Sequence, residues 1–200
     1  MASILRYKSG LTAGSLKLAE SKIVADLMLK NTDAKGWKEA IVVNNIFQAR
    51  NPSSAIRIAS LIRSRLKLMQ PEHWKLVRDG KGVVSAQALF AAAIKHSSLL
   101  ADFMALVVSD QYKLLSKSLA NSLWAKYLEG CRERDPNMPA WSESTVKRLR
   151  SSIYQCLAQA GYIDNTKSRT LQTVHISDAV LNYLQAHKEN KVLKAMMVEI

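Results

Sequence analysis

The stretch SESTVKRLRSSIYQCLAQAGYIDNTKSRTLQTVHI, residues 142–176, decides the fold, and the rest of the chain is read outward from it. Ser142 or Ser144 opens it, because a hydroxyl at that place accepts a hydrogen bond from an unpaired first-turn N–H. Val146, Leu149, Ile153, Leu157 and Ala160 recur at three and four residues and so share one side of a helix. At about 100° per residue, Ser144, Lys147, Ser151 and Gln155 point the other way, with Arg148 and Arg150 on their flanks. Gly161 suits a left-handed helix stop. Tyr162-Ile163 then predicts a short strand, residues 164–168 a turn, and residues 171–176 the returning strand, with Lys167 and Arg169 at the tip. Helix, strand, basic turn, strand is the order of a winged helix, in which the helix enters a major groove and the hairpin meets the DNA backbone. An ordinary helix with a solvated polar face and a hairpin packed on it has the same pattern.

Moving outward, Ser177 is expected to cap a last helix carrying Val180, Leu181 and Leu184. On the other side, residues 131–141 are polar, contain Pro136 and Pro139, and form the expected internal boundary. The helix before them is expected from about Tyr112 to Gly130. A compact helix-turn-helix joins its helices by about 3–4 residues, so this connection is long for that motif. Further helices are expected at residues 15–30, 38–49, 52–69, 85–96 and 97–108, with residues 71–83 mixed.

A second surface lies between Trp37 and Met69, where Asn51-Pro52 stops one helix and starts another. Ala55, Ala59, Ile62, Leu66 and Met69 form its core stripe. Ser53, Arg57, Ser60, Ser64 and Lys67 lie opposite, Arg50 precedes the break, and Arg63 and Arg65 add charge on the flanks. Leu61 and Leu68 intrude on this polar side, so a helix buried on two faces, with its arginines snorkelling or paired, fits the pattern equally well. The chain thus divides into a basic helical front (residues 1–70) holding a helix-turn-helix-like pair, a central helical core (71–130) and a winged-helix-like back (131–200). The fold class expected is mainly α.

The charge distribution agrees with two surfaces around a neutral centre. The 200 residues carry 29 Lys+Arg and 16 Asp+Glu, a formal charge of +13. Residues 1–70 hold 12 basic against 4 acidic residues, or +8; residues 71–140 hold 9 against 7, or +2; residues 141–200 hold 8 against 5, or +3. Basic surfaces concentrate phosphate and release counterions on contact, which points to nucleic acid. A hydrophobic share of 48% excludes a disordered basic tail. Aromatic residues are only 6%, and no stacking platform interleaved with basic residues is seen, which favours duplex over single strand.

Catalytic signals are weak. His73, His96, His175 and His187 stand alone, Asp102 and Asp110 are isolated acids, and Gly80-Lys81-Gly82 lacks the spacing of a phosphate-binding loop. No metal or other cofactor is implied. Cys131 and Cys156 are expected as buried thiols, which suits a reducing cytoplasm. The opening residues 1–8 lack the long apolar run of a secretory signal, and the most apolar stretch, residues 99–108, contains Asp102 and is too short to span a bilayer.

Three sets of segments belong together: Tyr7-Lys8-Ser9-Gly10 with Glu20-Ser21, the run from Ala49 to Arg57 (ARNPSSAIR) with Ile62-Arg63-Ser64-Arg65-Leu66, and Trp141 to Lys147 (WSESTVK) with Leu157 to Ile163 (LAQAGYI). In combination they resemble the BrxA family of BREX bacteriophage-exclusion systems. The resemblance covers essentially the whole chain. It implies a cytoplasmic, non-catalytic bacterial protein that acts in phage defence beside a DNA methyltransferase, an ATPase and a phosphatase-like component. It also implies a helical bundle similar to the antiterminator NusB, and duplex DNA as partner. An adaptor that docks on a partner protein or on structured RNA is the alternative, motivated by Leu61 and Leu68 as a partner patch.

Overall fold

A computed structural model describes residues 6–198, so the opening run of residues 1–5 lies outside the described residues. The order of elements is α1 (Leu18–Leu29), α2 (Ala34–Lys38) running into a π turn (Glu39–Val43), α3 (Pro52–Leu66), α4 (Pro71–Asp79), α5 (Val83–His96) and α6 (Ser98–Phe103). The last continues through a second π turn (Met104–Val108) into α7 (Ser109–Lys113). Then come α8 (Ser122–Arg134), α9 (Glu143–Ala160), α10 (Asp178–Ala186) and α11 (Asn190–Met196). The mainly α expectation is met.

The centre of the molecule is α5. Every residue from Ser85 to Ile94 is buried, as expected of a helix that is apolar all round. Its alanines let neighbours approach closely, and α1, α3, α4, α6, α9, α10 and α11 all pack on it. One contiguous core runs from Tyr7 to Met196, with a small satellite of Ile41, Ala55 and Ala59 under α3. The chain bends by 107° between α5 and α6, where Ser97 adopts extended backbone and its hydroxyl accepts from Leu100 N. Among the described residues no single helix is long and apolar enough to cross a membrane.

Three expectations about elements are corrected. Residues 71–83 are not mixed: Pro71 sits in the first turn of α4, and His73 and Val77 face the core. The helix expected over residues 112–130 is two pieces, since the chain leaves the helix after Lys113 and re-enters it at Ser122. The helix expected over residues 38–49 gives way to a π turn and then irregular chain, in which the Asn45 side chain accepts from Ala49 N and donates to its carbonyl.

The expected hairpin is reduced to isolated bridges, and no β-strand forms among the described residues. Ile163 bridges Leu171 and Ser118 bridges Thr170, both antiparallel. Backbone bonds Asp164 N to Thr170 O, Gln172 N to Tyr162 O, Leu171 N to Lys117 O and Leu119 N to Arg169 O reinforce them. Pairing stops after Gln172 because a buried glutamine captures the rest. Gln87 of α5 donates to His175 O at 2.8 Å and accepts from Ser177 N at 2.8 Å, drawing residues 175–177 onto the core.

Candidate nucleic-acid interface

The back surface is built on α9. The Ser142 side chain accepts from Thr145 N at its start, and Gly161, with φ +88°, ends it. Leu149, Ile153, Leu157 and Ala160 are fully buried. Opposite them Ser144, Lys147, Arg148, Arg150, Ser151 and Gln155 are all exposed. Among the described residues the one ion pair on this face is Lys147 with Glu143 at 3.8 Å, both well exposed, so it holds the lysine weakly. The charges here face water, available for an anionic partner.

The turn after α9 is tightly bonded. Asp164 Oδ1 accepts from Asn165 N and Thr170 N, and its Oδ2 accepts from the Ser168 hydroxyl at 2.6 Å. These bonds, the Ser168 one foremost, hold the carboxyl below its ordinary range. Asn165 Oδ1 in turn accepts from Lys167 N and Ser168 N. Lys167 is therefore presented, exposed, on a fixed loop. Arg169 departs from the expected role of a wing contact. It sits at φ +53°, bonds Asn121 through Nη1, and places its guanidinium 5.6 Å from the centroid of the buried Tyr154 ring. It fastens the turn to α8 and α9 rather than reaching outward.

Sequence reading missed Lys117. Residues 117–119 pair with residues 169–171 and so lie against the turn, with the Lys117 side chain exposed. The polar run Ser116-Lys117-Ser118, breaking an apolar helical pattern after Leu115, was the available signal. The expected long connection also changes. Helix α8 continues to Arg134, and Asp135 anchors the start of the connection: its Oδ2 accepts from Arg6 N and Tyr7 N, its Oδ1 from Asn137 N.

The front surface is α3, opened by Asn51 accepting from Ser54 N with Pro52 in the first turn. Arg50, Ser53, Arg57, Ser60, Ser64 and Lys67 are exposed. Arg63 is half-buried, its guanidinium 4.5 Å from the centroid of the Trp37 ring. Two of the serines are partly engaged: Ser53 donates to Asn51 Oδ1, and Ser64 donates to Leu61 O while meeting His96 Nε2 at 3.1 Å. Arg65 is corrected outright. It is 2% exposed and donates Nη1 to Ser15 O at 2.7 Å and Nη2 to Gly14 O at 3.2 Å. It lies three residues after Ile62 and one before Leu66, on the buried flank of the helix. Burial pushes its affinity for the proton down. Leu61 also turns inward, at 7% exposure, so the patch expected from Leu61 and Leu68 is not formed.

One segment ties the two surfaces together. The loop that Arg65 holds continues to Leu16, whose N–H donates to Gln159 Oε1 of α9 at 3.0 Å. The 3-10 turn just before it, Gly10–Ala13, packs on both α3 and α9. Among the described residues no three His, Cys, Asp or Glu side chains converge as metal ligands, and Cys131 and Cys156 are separate buried thiols.

The arrangement of a capped basic helix, bonded turn and central apolar helix has counterparts. The BrxA family model matches residues 5–188. The chain belongs to the BrxA family. It is 46% identical over 195 residues to a BREX protein BrxA of Paramagnetospirillum magneticum (strain ATCC 700264 / AMB-1), covering 98% of each chain. It is 33% identical over 177 residues to a BREX protein BrxA of Escherichia coli O9:H4 (strain HS), covering 87% of this chain and 83% of that one. A crystal structure of an uncharacterized protein from Magnetospirillum magneticum, 45% identical, superposes with a TM-score of 0.90 over 97% of this chain and 100% of the other. The segments that resemble BrxA hold structural posts as well as surface ones. Tyr7 is fully buried. Its hydroxyl donates to Asp102 Oδ2 at 2.6 Å and accepts from Arg134 Nε at 3.0 Å, and Asp102 also pairs with Arg6 at 2.6 Å.

Proposed function

We propose that this chain is a non-catalytic, duplex-DNA-binding component of a BREX-type phage-defence system that contacts mainly phosphates, with little sequence preference. The observation that carries the reading is the outer face of α9. Lys147, Arg148 and Arg150 stand exposed on one helix, and the fixed turn beside them holds out Lys167. In this reading the helix from α6 to α7, the segment 117–119, α8, α9 and the paired residues 162–164 and 170–172 follow winged-helix order. Helix α9 then lies in the major groove and Lys167 and Lys117 meet the flanking backbone. The exposed cations of α3, Arg50, Arg57 and Lys67, are a second phosphate-contacting surface. Family membership supports the BREX assignment, with other BREX components as partners.

A mobility shift at several salt concentrations tests this. Log K should fall linearly with log salt, with a slope whose magnitude is about 0.9 times the number of phosphates neutralised. Reversing Lys147 and Arg148 should lower the slope by about two units, against a similar loss for Arg57 and Lys67. If neither pair weakens binding to duplex, both surfaces are misassigned. A clear preference for structured RNA in competition, or binding only beside another protein, would favour the adaptor reading instead.

A further inference from the structure

We infer that the groove between α7 and α8 is a docking site for an amphipathic helix of a partner protein whose apolar stripe is edged by lysine or arginine. The structure leaves several leucines of this region outside the core, Leu106, Leu114 and Leu115. The π turn at Met104–Val108 widens the helix, so Ala105 and Leu106 face solvent between the buried Met104 and Val108. Such turns recur at functional sites. Leu106 is 44% exposed, Leu114 70% and Leu115 75%. Leu115 occupies the left-handed position after the helix end, with φ +50°, which glycine normally fills and which strains a bulky side chain.

Leu106 and Leu114, with Val107 and Leu123, line a partly open groove of about 540 Å³. Its charge identifies the occupant. Asp110 stands on one wall, and Glu129 and Glu133 on the other. The two glutamates are four residues apart on α8, hence on one side of it. None of the three makes an ion pair among the described residues. Of the two cations at the rim, Arg134 is turned to Tyr7 and Cys131, leaving Lys126. On a protein of charge +13, a locally acidic apolar groove selects against the chain's general preference for anions. The apolar lining takes an i, i+3/i+4 stripe, and the acids on both walls take cations on both its edges.

The test uses the full chain and two synthetic helical peptides about four turns long. Both carry the same leucine stripe, one edged with lysine and one with glutamate. Fluorescence anisotropy should show the lysine-edged peptide binding and the glutamate-edged one about tenfold weaker or worse. Leu114→Glu, at an exposed position, should abolish binding without unfolding the protein. The double reversal Glu129→Lys with Glu133→Lys should invert the preference. Non-specific attraction to a +13 protein runs the opposite way, so tighter binding of the glutamate-edged peptide, or no binding of either, overturns the proposal. So does a concentration-dependent dimer of the chain alone that Leu114→Glu abolishes, which would assign the groove to a second copy.

Discussion

Replacing Arg65 by alanine separates a structural arginine from a DNA-contacting one. The side chain is almost wholly buried, and its two hydrogen bonds end on main-chain carbonyls of Gly14 and Ser15. Alanine removes both charge-assisted bonds, leaves those carbonyls unpaired and opens a cavity, for a cost of about 3–5 kcal/mol. For a chain of this size that lowers Tm by roughly 6–20 °C. Arg65→Met keeps most of the volume and removes the buried charge, so it should recover part of the loss. The assay is urea unfolding followed by mobility shifts at a temperature where each variant is folded. The salt slope of DNA binding should stay unchanged, because the guanidinium reaches no phosphate. A folded Arg65→Ala variant with wild-type stability and a slope lowered by about one unit would refute the placement.

Other outcomes rest on the same geometry. Burial holds the His73 imidazole, tilted at 52° to the Tyr183 ring with centroids 4.9 Å apart, down at a pKa of about 4. The unfolded chain therefore takes up the proton first, and stability should fall by about 3 kcal/mol as pH drops from 6.5 through 4; His73→Phe should flatten that profile in calorimetric scans. Gly161→Ala should cost about 1–2 kcal/mol in urea unfolding through the left-handed backbone alone, since a Cβ there meets nothing within 4 Å. Lys117→Glu should lower the salt slope of duplex binding by about one unit although it lies outside both basic helices, α3 and α9; an unchanged slope would remove the segment 117–119 from the interface.

Much of the fold was legible in the sequence where a local signal sets a boundary. Ser142 and Gly161 bracket α9, Asn51-Pro52 opens α3, and the three-and-four spacing names their buried faces, because caps and periodicity act over a few residues. The outward cations of α9 follow from the same arithmetic. The misleading signals came from partners far away in the chain. Leu114 and Leu115 continue an apolar helical pattern, yet the helix ends there and residues 117–119 pair with residues 169–171. The returning strand stops short because Gln87 binds residues 175 and 177. Arg65 and Arg169 carry the charge of phosphate contacts, but one closes on the loop at Gly14 and Ser15 and the other on Tyr154 and Asn121. Sequence by itself determined a mainly helical, basic chain with two cationic helices. Only the tertiary structure decided which of those cations face water, because desolvating a guanidinium is tolerated only where distant carbonyls or an aromatic face are brought to meet it.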